Sequence, residues 1–410
     1  MQSSRIHVVF FLIATLAVGL LAKPTDGTFS QWRGLNRDGV YHEQNLLKSW
    51  PDKGPKMLWT AGYLGKGYSS AAVTKNTIFT TGMIDGTGFV FAFNKAGKLL
   101  WKTPYGQEWS RNYEGSRTTP TVVGDRLYIE GTGGEVFCLN SGNGDVVWKT
   151  SLIEKYGARK IRWGLVESLL IDGDQLICTP GGTETNLIAL NRHDGSLLWS
   201  SKGVGDKAAY CSPTVFEHGG KRTIVTMTGK SILGVNAENG KLLWSHPHIT
   251  SYDINPNTPY YLDGRLYCVS GYGTGGVQLE LSPDGTSVKE VWRNKSLDVQ
   301  MDAFVVVDGF IYGTSHKKPA WHCLDWKTGE ERYVDPGIGK GNVIFSDGLI
   351  YCYGDNGKVG LIEPDPDSFK LISSFKISQG TNEHWAHSVI SDGVLYIRHG
   401  NTMMAYDIQG

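Results

Sequence analysis

Apolar pairs recur along the chain in a fixed setting, two residues after a glycine and just before a tryptophan. They read GKLLW at Gly97–Trp101, GDVVW at Gly144–Trp148, GSLLW at Gly195–Trp199 and GKLLW at Gly240–Trp244. A looser copy ends at Trp292, and MLW at Met57–Trp59 stands alone near the N-terminus. The steps between these tryptophans are 42, 47, 51, 45 and 48 residues, the period of a repeat architecture. A second pattern, a DG-like turn between alternating apolar runs, begins at Thr74, Val123, Ile171, Glu217, Leu262, Val307, Ser346 and Ser391. Each is a hairpin signal, followed by a further strand, a second turn and the strand that carries the tryptophan. One unit therefore holds four short antiparallel strands.

Eight such units predict an all-β fold, an eight-bladed β-propeller with blades packed around a central channel. The eighth unit stops at MMAYDIQG without its tryptophan strand. The displaced MLW strand supplies it, so N- and C-terminal strands pair to close the ring. Units six and seven carry Tyr333 and Phe375 in place of tryptophan. Each tryptophan is expected as a wedge between neighbouring blades.

Residues 1–22 differ from the rest. An apolar run from Val8 to Leu21 follows Arg5 and His7, too short to span a bilayer comfortably but suited to a signal peptide. The expected organisation is a signal peptide at 1–22, a lead-in at 23–54 and a single propeller at 55–410. The mature chain is then periplasmic or secreted, with no transmembrane segment after signal removal and no lipoprotein cysteine. The formal charge of zero, from 40 basic and 40 acidic residues, excludes a nucleic-acid partner, which needs a basic face. A monomer is expected. Six cysteines in an exported chain invite disulfides, but Cys178, Cys268 and Cys352 share one repeat position, and Cys138 and Cys323 another. Equivalent positions in separate blades lie too far apart for a bridge, so buried free thiols are expected.

The repeat register also addresses the chemistry. In a propeller the loop leading into each innermost strand faces the central funnel. Aligning the eight turns places Tyr68, Arg117, Val166, Tyr210, Pro256, Met301, Lys340 and Trp385 in one ring, and Ser69, Thr118, Glu167, Cys211, Asn257, Asp302, Gly341 and Ala386 in the next. Such a ring of polar and aromatic groups is a setting for a small molecule, a sugar or a protein. Glu167, Asn257 and Asp302 are oxygen donors of the kind calcium takes, and a carboxylate there could also act as a general base. The structural alternative pairs Glu167 with an arginine and makes Asp302 a turn cap. The segment from Gln379 clusters His384, Trp385 and His387, of types suited to a metal or to acid–base work. As funnel-lining groups they need no catalytic role.

The unit SRTTPTVVGDRLYIEGTGGEVFCLNSGNGDVVW resembles the pyrroloquinoline-quinone (PQQ) repeat of quinoprotein alcohol dehydrogenase-like propellers, and the resemblance runs from about Gln31 to Gly410. QWRGLNRDGV, GYGTGG and GKGNVIFSDG are similar to an exported, bacterial PQQ-binding-like subgroup. The same blade serves dehydrogenases and non-catalytic scaffolds of the BamB type. The resemblance implies calcium at Glu167 and Asn257, Asp302 as catalytic base, and Lys340, with Arg117 and Trp385, against the quinone. The chain departs from the dehydrogenase pattern in having no adjacent cysteine pair, no CxxCH haem site and no roofing insertions. The leading expectation is thus a binding or scaffold module whose funnel residues include Tyr68, Tyr210, His384 and His387, without retained quinone chemistry. A PQQ- and calcium-dependent alcohol or sugar dehydrogenase, and a carbohydrate-active lyase or hydrolase, are the alternatives.

Overall fold

The computed structural model describes residues 27–301 and 303–410. The expected signal peptide and Asp302 lie outside the described residues. Among these, no helix is long and apolar enough to cross a membrane.

Eight antiparallel sheets form an eight-bladed β-propeller. Seven blades are built from consecutive strands, at 72–107, 121–151, 170–201, 214–247, 260–294, 304–335 and 341–376. The eighth joins strands within 389–407 to Lys56–Ala61, which pairs antiparallel with Thr402–Asp407 in the register Lys56↔Asp407 to Ala61↔Met403. Both chain ends thus close one blade. Five of the eight DG-like turns have positive φ at both central residues, among them Asp263–Gly264 and Asp347–Gly348. Turns of that hand match the twist of the flanking strands.

The structure explains why glycine precedes each apolar pair. A Cβ at Gly97 would lie 2.5 Å from the ring of Trp59 in the preceding blade, and one at Gly195 would lie 2.8 Å from Trp148. Gly144 and Gly240 are covered in the same way by Trp101 and Trp199. These glycines have φ between 71° and 80°, where a side chain is strained in any case. The wedge is also hydrogen-bonded across the blade boundary: the indole N–H donates to Lys95 O from Trp59 (3.0 Å) and to Arg192 O from Trp148 (3.0 Å). Trp244 departs from the pattern and packs on Gly234 of its own blade. Where Phe375 replaces tryptophan, Trp50 fills the gap, edge-on to Phe375 and Tyr351. All six cysteines are buried and unbridged.

Residues 27–41, read from sequence as part of a lead-in, cross the channel beneath the funnel. Phe29–Ser30 pairs with the innermost strand of blade 2, and Val40–Tyr41 pairs parallel with that of blade 7. Between them two buried arginines reach opposite sides of the ring. Arg33 donates to Phe304 O (2.8 Å) and Val343 O (3.2 Å), and Arg37 to Ser168 O (2.8 Å), Leu169 O (2.5 Å) and Pro213 O (3.1 Å). Both hold positive φ, so the strained backbone and the guanidinium bonds come together.

Two outcomes follow for stability. Arg37→Met leaves three buried carbonyls without these donors and should lower unfolding free energy by on the order of 3 kcal/mol in urea titration. Gly195→Ala should cost about 2 kcal/mol by the same measurement, from the left-handed backbone and the contact with Trp148.

Candidate functional site

The channel above residues 27–41 is a cup of about 490 Å³ open at one end. Every member of the first ring lines it: Tyr68, Arg117, Val166, Tyr210, Pro256, Met301, Lys340 and Trp385. The ring is two-sided in blade order. Blades 7, 8, 1 and 2 contribute Lys340, Trp385, Tyr68 and Arg117, a cation at each end of two aromatic rings. Blades 3 to 6 contribute Val166, Tyr210, Pro256 and Met301, a mostly apolar arc. Trp32 and His387 join the base, their rings 4.6 Å apart in an edge contact.

The side chains are held by specific contacts. Trp385 lies between Tyr68 (5.0 Å) and Tyr113 (5.1 Å), ring centre to ring centre. The Tyr68 hydroxyl donates to Glu383 Oε2 at 2.8 Å, and burial followed by Glu383 raises its pKa. Arg117 donates to the carbonyls of Gly115 (3.2 Å) and Tyr113 and lies 5.9 Å from the Tyr68 ring centre. Lys340 Nζ donates to Gln300 Oε1 at 2.8 Å. Burial lowers the pKa of both cations, with Glu108 opposing at Arg117 and Asp355 at Lys340. His387 is buried; Nε2 donates to Met301 O at 2.8 Å while Nδ1 faces Arg33. Burial and then Arg33 hold its pKa well below the usual imidazole range, so it is neutral.

The other candidates lie off this wall. His384 accepts from the Tyr353 hydroxyl at 2.5 Å and stacks on His399 at 3.6 Å, and burial, then His399, lowers it to about 4. Glu167 turns into the gap between blades 2 and 3, where Oε1 accepts from Thr179 N at 2.6 Å. It lies near Glu130, and the arginine whose charge acts on it is Arg37 of the N-terminal segment, not the Arg162 or Arg117 expected as its structural partner. Burial raises both carboxyls, and the charge of Glu167 adds to the shift at Glu130. Asn257 is buried and donates to Val269 O (2.6 Å) in its own blade and to Val299 O (2.7 Å) in the loop leading to the next. Extended backbone sends adjacent side chains to opposite faces, so a ring one residue along points into the blades. Among the described residues no three His, Cys, Asp or Glu side chains are grouped to hold a metal ion. Glu167 Oε1 and the Asn257 amide are thus both engaged by the protein, and neither residue lines the cup.

Several wall residues escaped the repeat analysis. Tyr113 and Trp163 come from long loops between blades, and Tyr272 and His316 from loops within blades. The available signal was aromatic content in loops such as EWSRNYEG and GYGTGG.

Fold and site together define a closed propeller with a one-mouthed central cup. A family model described as outer membrane protein assembly factor BamB matches residues 86–333, and the chain belongs to this family of PQQ-type propellers. It is 25% identical over 230 residues to tetrathionate hydrolase of Acidithiobacillus ferrooxidans, covering 53% of this chain and 44% of the relative. It is 23% identical over 210 residues to BamB of Kangiella koreensis, covering 50% and 49%. With quinoprotein alcohol dehydrogenase PedH of Pseudomonas putida it shares 24% over 163 residues, covering 37% and 26%. The chain thus spans less than half the length of each of these relatives. Among solved structures, BamB from Moraxella catarrhalis superposes with a TM-score of 0.62 at 12% identity, covering 86% of this chain and 99% of that one. Quinohemoprotein alcohol dehydrogenase from Comamonas testosteroni gives 0.66 at 9%, covering 92% and 79%. These structural likenesses concern the fold alone.

The buried acids behind the wall predict a pH dependence. Glu108 accepts from the Tyr105 hydroxyl at 2.5 Å, and burial pushes its carboxyl up to about 7 from 4.5. The folded protein holds this proton more tightly than the unfolded chain. Its contribution is complete below pH 4.5 and is lost as pH rises through about 7. Melting curves should show Glu108→Gln matching the parent in acid and exceeding it at about pH 8.

Proposed function

We propose that this protein is an exported binding module whose central cup receives a small ligand, without quinone-dependent catalysis. The observation that carries this reading is the meeting of eight blade loops on one cup whose base is the chain's own N-terminal segment. A cup with a floor retains a ligand where an open channel would pass it. Aromatic walls with a few fixed polar groups are the usual composition of a small-molecule site. The engagement of Glu167 and Asn257 by their own and neighbouring blades favours this reading over the dehydrogenase. The apolar run at Val8–Leu21 supports export to the periplasm or beyond.

The test has two arms. Purified protein is screened by tryptophan fluorescence against a library of bacterial metabolites. At least one compound should bind, and Trp385→Ala should weaken it about tenfold or more, the effect of losing roughly 1.4 kcal/mol of contact. In parallel, protein mixed with PQQ and calcium is assayed with a dye acceptor and an alcohol panel. Dye reduction that depends on PQQ would replace this proposal with the dehydrogenase reading.

A further inference from the structure

Four hydroxyls that line the cup are left with an O–H to donate. The hydroxyl of Tyr210 accepts from Trp163 N (3.3 Å), and that of Tyr272 from Gln300 Nε2 (3.0 Å). Ser168 Oγ accepts from Thr119 N (3.2 Å), and Ser212 Oγ from Ser168 N (2.9 Å). Each of these oxygens already takes a hydrogen bond from the protein, which leaves its O–H to donate into the cup. Arg117 and Lys340 add cationic donors, and neither forms an ion pair among the described residues. No Asp or Glu is among the described wall residues.

A second observation is independent of this one. Tyr113, Tyr210 and Tyr272 all line the cup, and all three hold left-handed backbone, with φ of 56°, 70° and 61°. Bulky residues there are genuine outliers, and such strain gathers at ligand clamps where the surrounding structure fixes it. Three strained tyrosines aimed at one space mark a preorganised site.

Four free O–H groups and two cations call for a ligand rich in acceptors, with negative charge for the cations and ring faces for Trp385 and Tyr68. Carboxylates suit a guanidinium by forked hydrogen bonds, and hydroxyl and ring oxygens suit the four O–H groups. From this we infer that the cup binds an acidic sugar, a short oligosaccharide bearing uronate carboxylates. The inference rests on the reading of the cup as a small-ligand site and names the ligand class for it.

Calorimetric titration of the full chain with digalacturonate, cellobiose and terephthalate tests it. Digalacturonate should bind at least tenfold more tightly than the other two, and more weakly as sodium chloride is raised. Arg117→Gln and Lys340→Gln should each weaken it about tenfold while leaving the melting temperature unchanged. Where either variant melts early, Tyr272→Phe, which removes one O–H donor and keeps the ring, gives the alternative readout of a severalfold loss. Equal binding of cellobiose overturns the need for charge, and preferential binding of terephthalate overturns the sugar. Binding of none of the three overturns the inference. The metabolite screen reports separately on whether the cup is a ligand site at all.

Discussion

Every blade of a closed propeller ends at the axis in a strand with one free edge. Its outward neighbour satisfies one side of the backbone, and the other side faces the channel. Eight such edges converge in a narrow space, and buried carbonyls left without partners are expensive. This chain meets the constraint with its own N-terminal segment. Arg33 and Arg37 extend from one crossing segment of turns in opposite directions and donate to carbonyls on blades 6 and 7 and on blades 3 and 4. Arginine suits this task because its planar fork carries five donors and stays charged when buried. The same crossing makes a channel into a cup, so axial satisfaction and the existence of a site have one cause.

The outer rim answers a different constraint. Neighbouring blades must pack face to face at a fixed angle, and the indole of one blade lying on the glycine of the next sets that contact. Glycine is required twice over, by φ and by the space the ring occupies. The tryptophan N–H then bonds to the same turn, which fixes the indole in orientation as well as depth. At the seventh blade the device is Phe375 with Trp50, a residue from the same N-terminal stretch. That stretch therefore completes both the axis and the rim near the closing blade.

Much of this was legible in the sequence, for a physical reason. A repeat turns local signals into long-range geometry, because equivalent positions must lie in equivalent places around the ring. That is how eight wall residues scattered from Tyr68 to Trp385 could be assembled without coordinates. The register also separates two rings one residue apart. Glu167 and Asn257 look like metal ligands by type, yet the pleat directs them between blades while Val166 and Pro256 face the cup. Alternation was the better guide. The role of Arg33 and Arg37 was not legible, because QWRGLNRDGV has no counterpart in the repeat and its partners lie from 131 to 310 residues away in sequence.

Family likeness and site chemistry part at the same place. The blade motif specifies turns, wedges and apolar pairs, all of which serve packing. Nothing in it constrains the first-ring residues or the loop residues such as Tyr113 and Tyr272, which together decide what the cup presents. The family can therefore keep one architecture while the wall changes completely. In this chain the wall carries cations at Arg117 and Lys340 and hydroxyl donors between them. The acids Glu108, Glu130 and Glu167 are withdrawn behind it, where burial favours their neutral forms. Burial weakens these carboxyls as acids, so less negative charge stands behind the cup than their number implies, and that charge grows as pH rises through about 7 for Glu108 and Glu167. The electrostatic character of the cup thus depends on two layers, the cations that face it and the acids behind it.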